Sequence, residues 1–241
     1  MRYYPPSEVT VQMFKDLPKQ GYGLIILRAH TIPLNIIGQD TERLGLGTHK
    51  SGPILADVGV MTSEPYSGSS HVYELLANEL VRGSIGKTYF AITPAFVRNE
   101  MQGTFPNSTI ILMGCAGVSG QNNGLARALL DRGAGSFVGW DNTVSADRTD
   151  AATSVLLQSL TEGNTVQAAV SSAMLGVGSD PEFGSHLRAL DLKAFPNEQV
   201  VADPTPGLLA VMALVAASPI CFLGVVILLT SKLPRIRGRG A

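Results

Sequence analysis

The sequence holds two cysteines, one tryptophan and few charges. Cys115 and Cys221 cannot form a disulfide framework, and no Cys-x-x-Cys pair offers a zinc clamp. The four histidines, His30, His49, His71 and His186, show no His-Glu-x-x-His or His-x-His spacing, so neither a metal site nor another cofactor is expected. The start, Met1-Arg-Tyr-Tyr-Pro-Pro, lacks the apolar core of a signal peptide. Charged residues make up only 15% of the 241, and the net charge is −1. That balance hides an asymmetry. Lys232, Arg235, Arg237 and Arg239 crowd the last ten residues, and without them 14 basic residues face 19 acidic ones. An acidic body argues against nucleic acid as a partner.

What the chain does have is apolar: 45% hydrophobic residues, 26 glycines and a positive mean hydropathy. This composition fits a compact α/β domain with an added membrane segment. The most informative stretch is Thr109-Ile-Ile-Leu-Met-Gly-Cys-Ala-Gly117. Its β-branched run predicts a strand buried on both faces, ended by Gly114. Side chains beyond the carboxyl ends of parallel strands face the crevice where open α/β sheets bind ligands, which is where Cys115 falls. A second stretch, Tyr22-Gly-Leu-Ile-Ile-Leu-Arg-Ala-His30, has the same form and ends in His30. A lone buried cysteine is more often inert packing. A histidine at the tip of a neighbouring strand makes it half of a nucleophile–base pair.

Around these strands the pattern alternates. A short helix is expected over 7–17, with Val9, Met13 and Phe14 inward and Pro18 as its stop. Residues 31–51 are polar and glycine-containing, a loop whose length is typical of a lid or a disordered segment. Strands are expected over 53–62 and 87–93. Between them, 69–81 carries Val72, Leu75, Leu76 and Leu80 at helical spacing, with His71 as a surface or cap residue. Pro94 starts another helix. After the loop 116–123 come a helix over 124–132, a strand over 136–140 ending in Trp140, and helices over 147–160 and 165–175. Such alternation implies a mostly parallel sheet with helices on its faces.

One domain is therefore expected over 1–178, a linker with Pro196, Pro204 and Pro206 over 179–206, a membrane-spanning helix over 207–231 and a basic tail over 232–241. About 22 uncharged residues, Leu208 to Leu229, reach across the roughly 30 Å hydrocarbon layer. A single-pass membrane location follows. The basic tail should stay cytoplasmic, which puts the domain outside. Export needs an N-terminal signal that this chain lacks, so the alternatives are an upstream signal or a tail anchor with the domain in the cytosol.

Together these residues resemble the caspase–gingipain class of cysteine peptidases, and most closely its CHAT-type group. The likeness runs from Gly21 to Ala173. It is carried by the strand ending in His30, the strand ending in Gly114-Cys115, and the ordered series after them: Leu125 to Leu130, Gly133-Ala134, Phe137 to Trp140, Val144, Asp147 and Gly163 to Ala169. The resemblance implies a caspase-like three-layer α/β sandwich that hydrolyses peptide bonds, with Cys115 as nucleophile and His30 as base. It implies an oxyanion site at the backbone N–H groups of Gly114 and Cys115, with a further donor in the turn after His30 in family members. It places Trp140 and Asp141 near the substrate side chain, where Asp141 would pair with a basic group. The partners implied are a peptide or protein substrate, or a protein bound through the same fold. Two departures stand out. Thr31 occupies a position where the family has glycine or another small residue, and the family's first central strand, which precedes the His strand, is missing here.

Two other readings stay open. A caspase-like domain without turnover would be a membrane-tethered binding module. The series Gly114, Gly117 and Gly120 also has GxxGxxG spacing between a strand and a helix, which with Asp141 as the acid resembles a Rossmann-type nucleotide-binding loop.

Overall fold

The computed structural model describes residues 1–34, 57–119 and 123–194, and the backbone of 211–213 and 226–229. The fold is mixed α/β, built on a partly parallel sheet. Its centre is the pair β2 (Leu24–Leu27) and β7 (Thr109–Leu112), joined in parallel with Leu24 opposite Thr109 and Leu27 opposite Leu112. β8 (Ser136–Trp140) lies parallel to β7 on the other side, and β9 (Leu187–Leu190) closes that edge antiparallel to β8. β9 falls within the residues expected as linker, so the sheet runs on into them. Leu187 and Ala189 face one core from it, the alternation of a strand.

The alternation of side chains decides which layer each residue joins. Ile25 and Leu27 of β2, Ile110 and Leu112 of β7, and Phe137 of β8 enter one core. That core includes Phe14 of α1 (Val11–Asp16), Phe96 and Val97 of α3 (Pro94–Asn99), and Leu125, Leu129 and Leu130 of α4 (Gly124–Asp131). Leu24, Ile26, Ile111, Met113, Val138 and Trp140 face the other way. They pack on Ala152 and Leu156 of α5 (Ala146–Thr161) and Ala169, Val170 and Ala173 of α6 (Val166–Val177). Each fully buried Ile or Leu contributes about 1.5–3 kcal/mol, so these doubly covered strands anchor the domain.

A second, antiparallel sheet stands beside the first in the order β3 (Thr31–Leu34), β4 (Asp57–Pro65), β6 (Lys87–Ile92) and β5 (Leu80–Ile85). β3 begins directly after His30, where a loop is expected. The rest of that loop, 35–51, lies outside the described residues, as do residues 53–56 of the strand expected over 53–62. The helix expected over 69–81 shrinks to α2 (Val72–Leu76). Asn78 turns the chain with φ 55°, and Leu80 starts a strand that returns through Gly86 to pair with β6. Leu75 and Leu80 pack inward, whereas Val72 and Leu76 are exposed. The hairpin partner outweighs a helical pattern too short to be stable by itself, and only five residues remain helical.

No helix among the described residues is long and apolar enough to cross a membrane. Of the span expected over 207–231, only the backbones of β10 (Val211–Ala213) and β11 (Val226–Leu229) are described, and both are extended. β10 pairs parallel with β2 at Val211 and Leu24. β11 pairs with β10, and with β1 (Tyr3–Tyr4) at the sheet margin. β-Branched, uncharged residues suit a strand as well as an apolar helix, which is why this stretch is ambiguous in sequence. The remainder of the expected span, and the basic tail, lie outside the described residues.

Candidate active site

The parity that builds the core also builds the site. Even positions of β2 (24, 26), position 111 of β7 and Met113 just past its end share the face toward α5 and α6. Carried past the strand ends, the register puts His30 beside Cys115. The two chain segments approach closely just before these residues: the amide of Met113 donates to the Leu27 carbonyl at 2.7 Å, and a Cβ on Gly114 would lie 2.5 Å from the Ala29 carbonyl oxygen. Only glycine permits this approach. His30 and Cys115 then line one cavity of about 200 Å3, together with Arg28, Ala29, Met113, Gly114, Val144, Ala146 and Thr149. That volume accommodates a single side chain.

Burial, and then the positive charge of Arg28, push the His30 imidazole below its ordinary range, so the neutral form is favoured. Its carbonyl accepts from the Met61 amide at 2.9 Å, which ties the end of β2 to β4. The Cys115 thiol is partly buried and lies 3.9 Å from the Val144 carbonyl as a weak donor. Arg28 is buried on the same face and pairs with Asp150 of α5 at 2.7 Å. A cation at the end of an apolar strand is a sequence signal of function, because such a residue is seldom buried unless paired.

Trp140 and Asp141 do not line the cavity. Trp140 is fully buried, and its indole N–H donates to the Thr149 hydroxyl at 3.0 Å, so it supports the cavity from behind Thr149. Asp141 accepts from the His186 amide at 2.7 Å and from the Arg188 Nε at 3.1 Å, which binds β8 to β9. The expected pairing of Asp141 with a basic substrate therefore has no support here. Strand-tip position alone cannot reveal that the carboxylate turns to a neighbouring strand.

The opposite wall, Val144 to Ala146, is held by a residue outside the sequence reading. Asp180, buried before β9, accepts the N–H of Ser145 at 2.8 Å, its O–H at 2.6 Å, and the amides of Glu182 and Phe183 at 2.9 Å each. Burial raises the Asp180 carboxyl. The Ser145 hydroxyl and the three amides outweigh it and hold the group well below the usual carboxylate range. A depressed folded value adds stability above the unfolded value, near 4, and that stability is lost as pH falls through the folded one. Asp180→Ala should lower stability by about 2 kcal/mol at neutral pH, since it strands buried donors. Thermal unfolding measures it, and the difference from wild type should shrink in acid.

Two amides of the loop after Cys115 are already taken by the protein itself. Ala116 N–H donates to the Asn142 carbonyl at 2.9 Å and Val118 N–H to the Trp140 carbonyl at 3.0 Å. At the start of α4 the Asp57 carboxylate accepts from the Leu125 amide, and it also accepts from Gly124. An acidic side chain thus sits where the nucleotide reading needs a phosphate. No group of three or more His, Cys, Asp or Glu that could hold a metal occurs among the described residues. Compared with known proteins, the chain matches no family model, no curated protein and no solved structure.

Proposed function

We propose that the domain is a caspase-like cysteine peptidase, in which Cys115 attacks a peptide carbonyl and His30 takes the thiol proton and returns it to the leaving amine. One observation carries this reading: the two groups, 85 positions apart in sequence, line a single side-chain-sized cavity at the carboxyl ends of adjacent parallel strands. A nucleophile, a base and a place for substrate in one crevice are what acyl transfer requires. Helices on both faces of the sheet are consistent with the three-layer caspase-like sandwich. The uncharged stretch over 207–231 would serve as a membrane anchor only in place of β10 and β11, which pair two pieces of it with the sheet.

The cavity also argues for a charge preference. Its lining contains a cation, Arg28, and no carboxylate. A basic substrate side chain would meet a like charge there in a poorly solvated space. Acidic or neutral side chains fit better, and an incoming carboxylate would share the guanidinium with Asp150, which already pairs with it at 2.7 Å.

Labelling with peptidyl electrophiles tests both points. Probes bearing Asp, Glu, Leu or Lys next to the reactive group are incubated with the full chain, and modified residues are mapped by mass spectrometry. Cys115 should be modified, and the Lys probe should react roughly tenfold more slowly than the acidic ones. If iodoacetamide reaches Cys115 but no peptidyl probe does, the binding-module reading replaces the peptidase.

A further inference from the structure

Thr31, the first residue of β3, follows His30 directly and sits over the turn that carries the thiol. Its hydroxyl donates to the Cys115 carbonyl. Its methyl carbon is 3.1 Å from where a Cβ on Gly114 would stand. The same peptide group is held at its other end, because the Ala116 N–H donates to the Asn142 carbonyl at 2.9 Å. The Cys115–Ala116 peptide is therefore strung between the start of β3 and the loop after β8.

That peptide is under strain. Ala116 has φ 51°, a left-handed conformation that a residue with a Cβ adopts only when its surroundings impose it. Released at the carbonyl, the peptide plane can rotate and let Ala116 relax. With that anchor gone the turn from Gly114 to Ala116 is free to shift, and the Cα–Cβ bond of Cys115, which sets where the sulfur stands relative to His30, shifts with it. The same turn in a strained conformation is a common way to present a nucleophile.

We infer that Thr31 is a positioning residue for the Cys115 thiol, acting through the Cys115–Ala116 peptide whose carbonyl its hydroxyl holds. The inference rests on the reading of Cys115 as the nucleophile. Thr31 takes no part in proton transfer. The residue that departs from the resembled family's small residue is thus the one that fixes the turn.

Thr31→Val removes the hydroxyl and keeps the shape, while Thr31→Ser keeps the hydroxyl and drops the methyl. Two measurements on the full chain separate the possibilities. The first is the pH profile of Cys115 alkylation by iodoacetamide, followed by peptide mapping so that Cys221 does not interfere. The Thr31→Val profile should coincide with that of His30→Ala, because the base no longer reaches the sulfur, and Thr31→Ser should follow wild type. The second is inactivation by the best peptidyl probe. Thr31→Val should slow the bond-forming step roughly tenfold or more while leaving the half-saturating probe concentration within about twofold, as expected for lost alignment rather than lost binding. Thr31→Ser should recover the rate. A Thr31→Val profile identical to wild type overturns the inference. So does a Thr31→Ser variant as slow as Thr31→Val, which makes the effect one of packing over Gly114. If no peptidyl probe reacts with wild type, the peptidase reading fails, and the alkylation profiles decide the role of Thr31 by themselves.

Discussion

Replacing His30 with alanine should slow Cys115-dependent peptide cleavage by about a thousandfold, and Cys115→Ala should abolish it. The size of the first effect follows from the two tasks the proposed mechanism gives the imidazole: accepting the thiol proton and protonating the departing amine. The pH profile carries the more specific signature. Burial and then Arg28 depress the His30 value, so the neutral imidazole persists to lower pH than an exposed histidine allows. Activity should be retained as pH falls through about 6.5 and be lost only below it. Arg28→Gln removes the positive neighbour and leaves the burial, so the acid limb should move up without reaching the ordinary position. The groups facing His30 in the cavity are Arg28 and Cys115, with Asp150 neutralising Arg28 from α5. Stability follows the same sign. The folded chain binds this proton less tightly than the unfolded one, so folding weakens as pH drops below about 6.5 toward the folded value. His30→Gln should flatten that decline. Kinetics from pH 4.5 to 8, paired with thermal unfolding at each pH, check both statements. An acid limb that stays fixed in Arg28→Gln would separate the guanidinium from the base.

The placement of the two reactive groups was legible because it depends on short-range rules. Buried β-branched runs predict parallel strands, glycine marks where they stop, and a period of two sends residues 24, 26, 111 and 113 to the same face. The helices α5 and α6 follow from spacing of the same kind. Contacts set by distant partners left no such trace. Val72 and Leu76 have helical spacing toward a core, yet they are exposed because β5 takes the chain from Leu80 onward. Asp141 stands past a strand end as His30 and Cys115 do, but His186 and Arg188 supply its donors. Asp180 fell in a stretch without periodicity, and its role depends on Ser145, 35 positions away. Arg28 was visible throughout as a charge in an apolar run. Its meaning required the cavity.

Gly114→Ala should destabilise the domain by about 3 kcal/mol, roughly 10 °C in melting temperature, and erase the reactivity of Cys115 toward peptidyl probes. The argument turns on what the new methyl group would meet. At Gly114 it is the Ala29 carbonyl oxygen, 2.5 Å away, with the Thr31 methyl at 3.1 Å. The first is backbone, part of the strand that carries His30, and it has no rotamer into which to escape. β2 and β7 must move apart where their register delivers His30 to Cys115, and the neighbouring Met113–Leu27 hydrogen bond goes with them. Gly124→Ala is the control. Its Cβ would fall 1.8 Å from an Asp57 carboxylate oxygen, a worse overlap on paper, but that oxygen belongs to a side chain that can swing aside. The loss there is a helix cap, about 1 kcal/mol, and Cys115 should stay reactive. Thermal unfolding and probe labelling of both variants rank the two effects. If Gly114→Ala melts and labels like wild type, the strands do not approach each other at this point and the Cys–His pairing built on that approach is wrong. If Gly124→Ala proves the more damaging, the Asp57 contact is rigid and α4 is anchored through it.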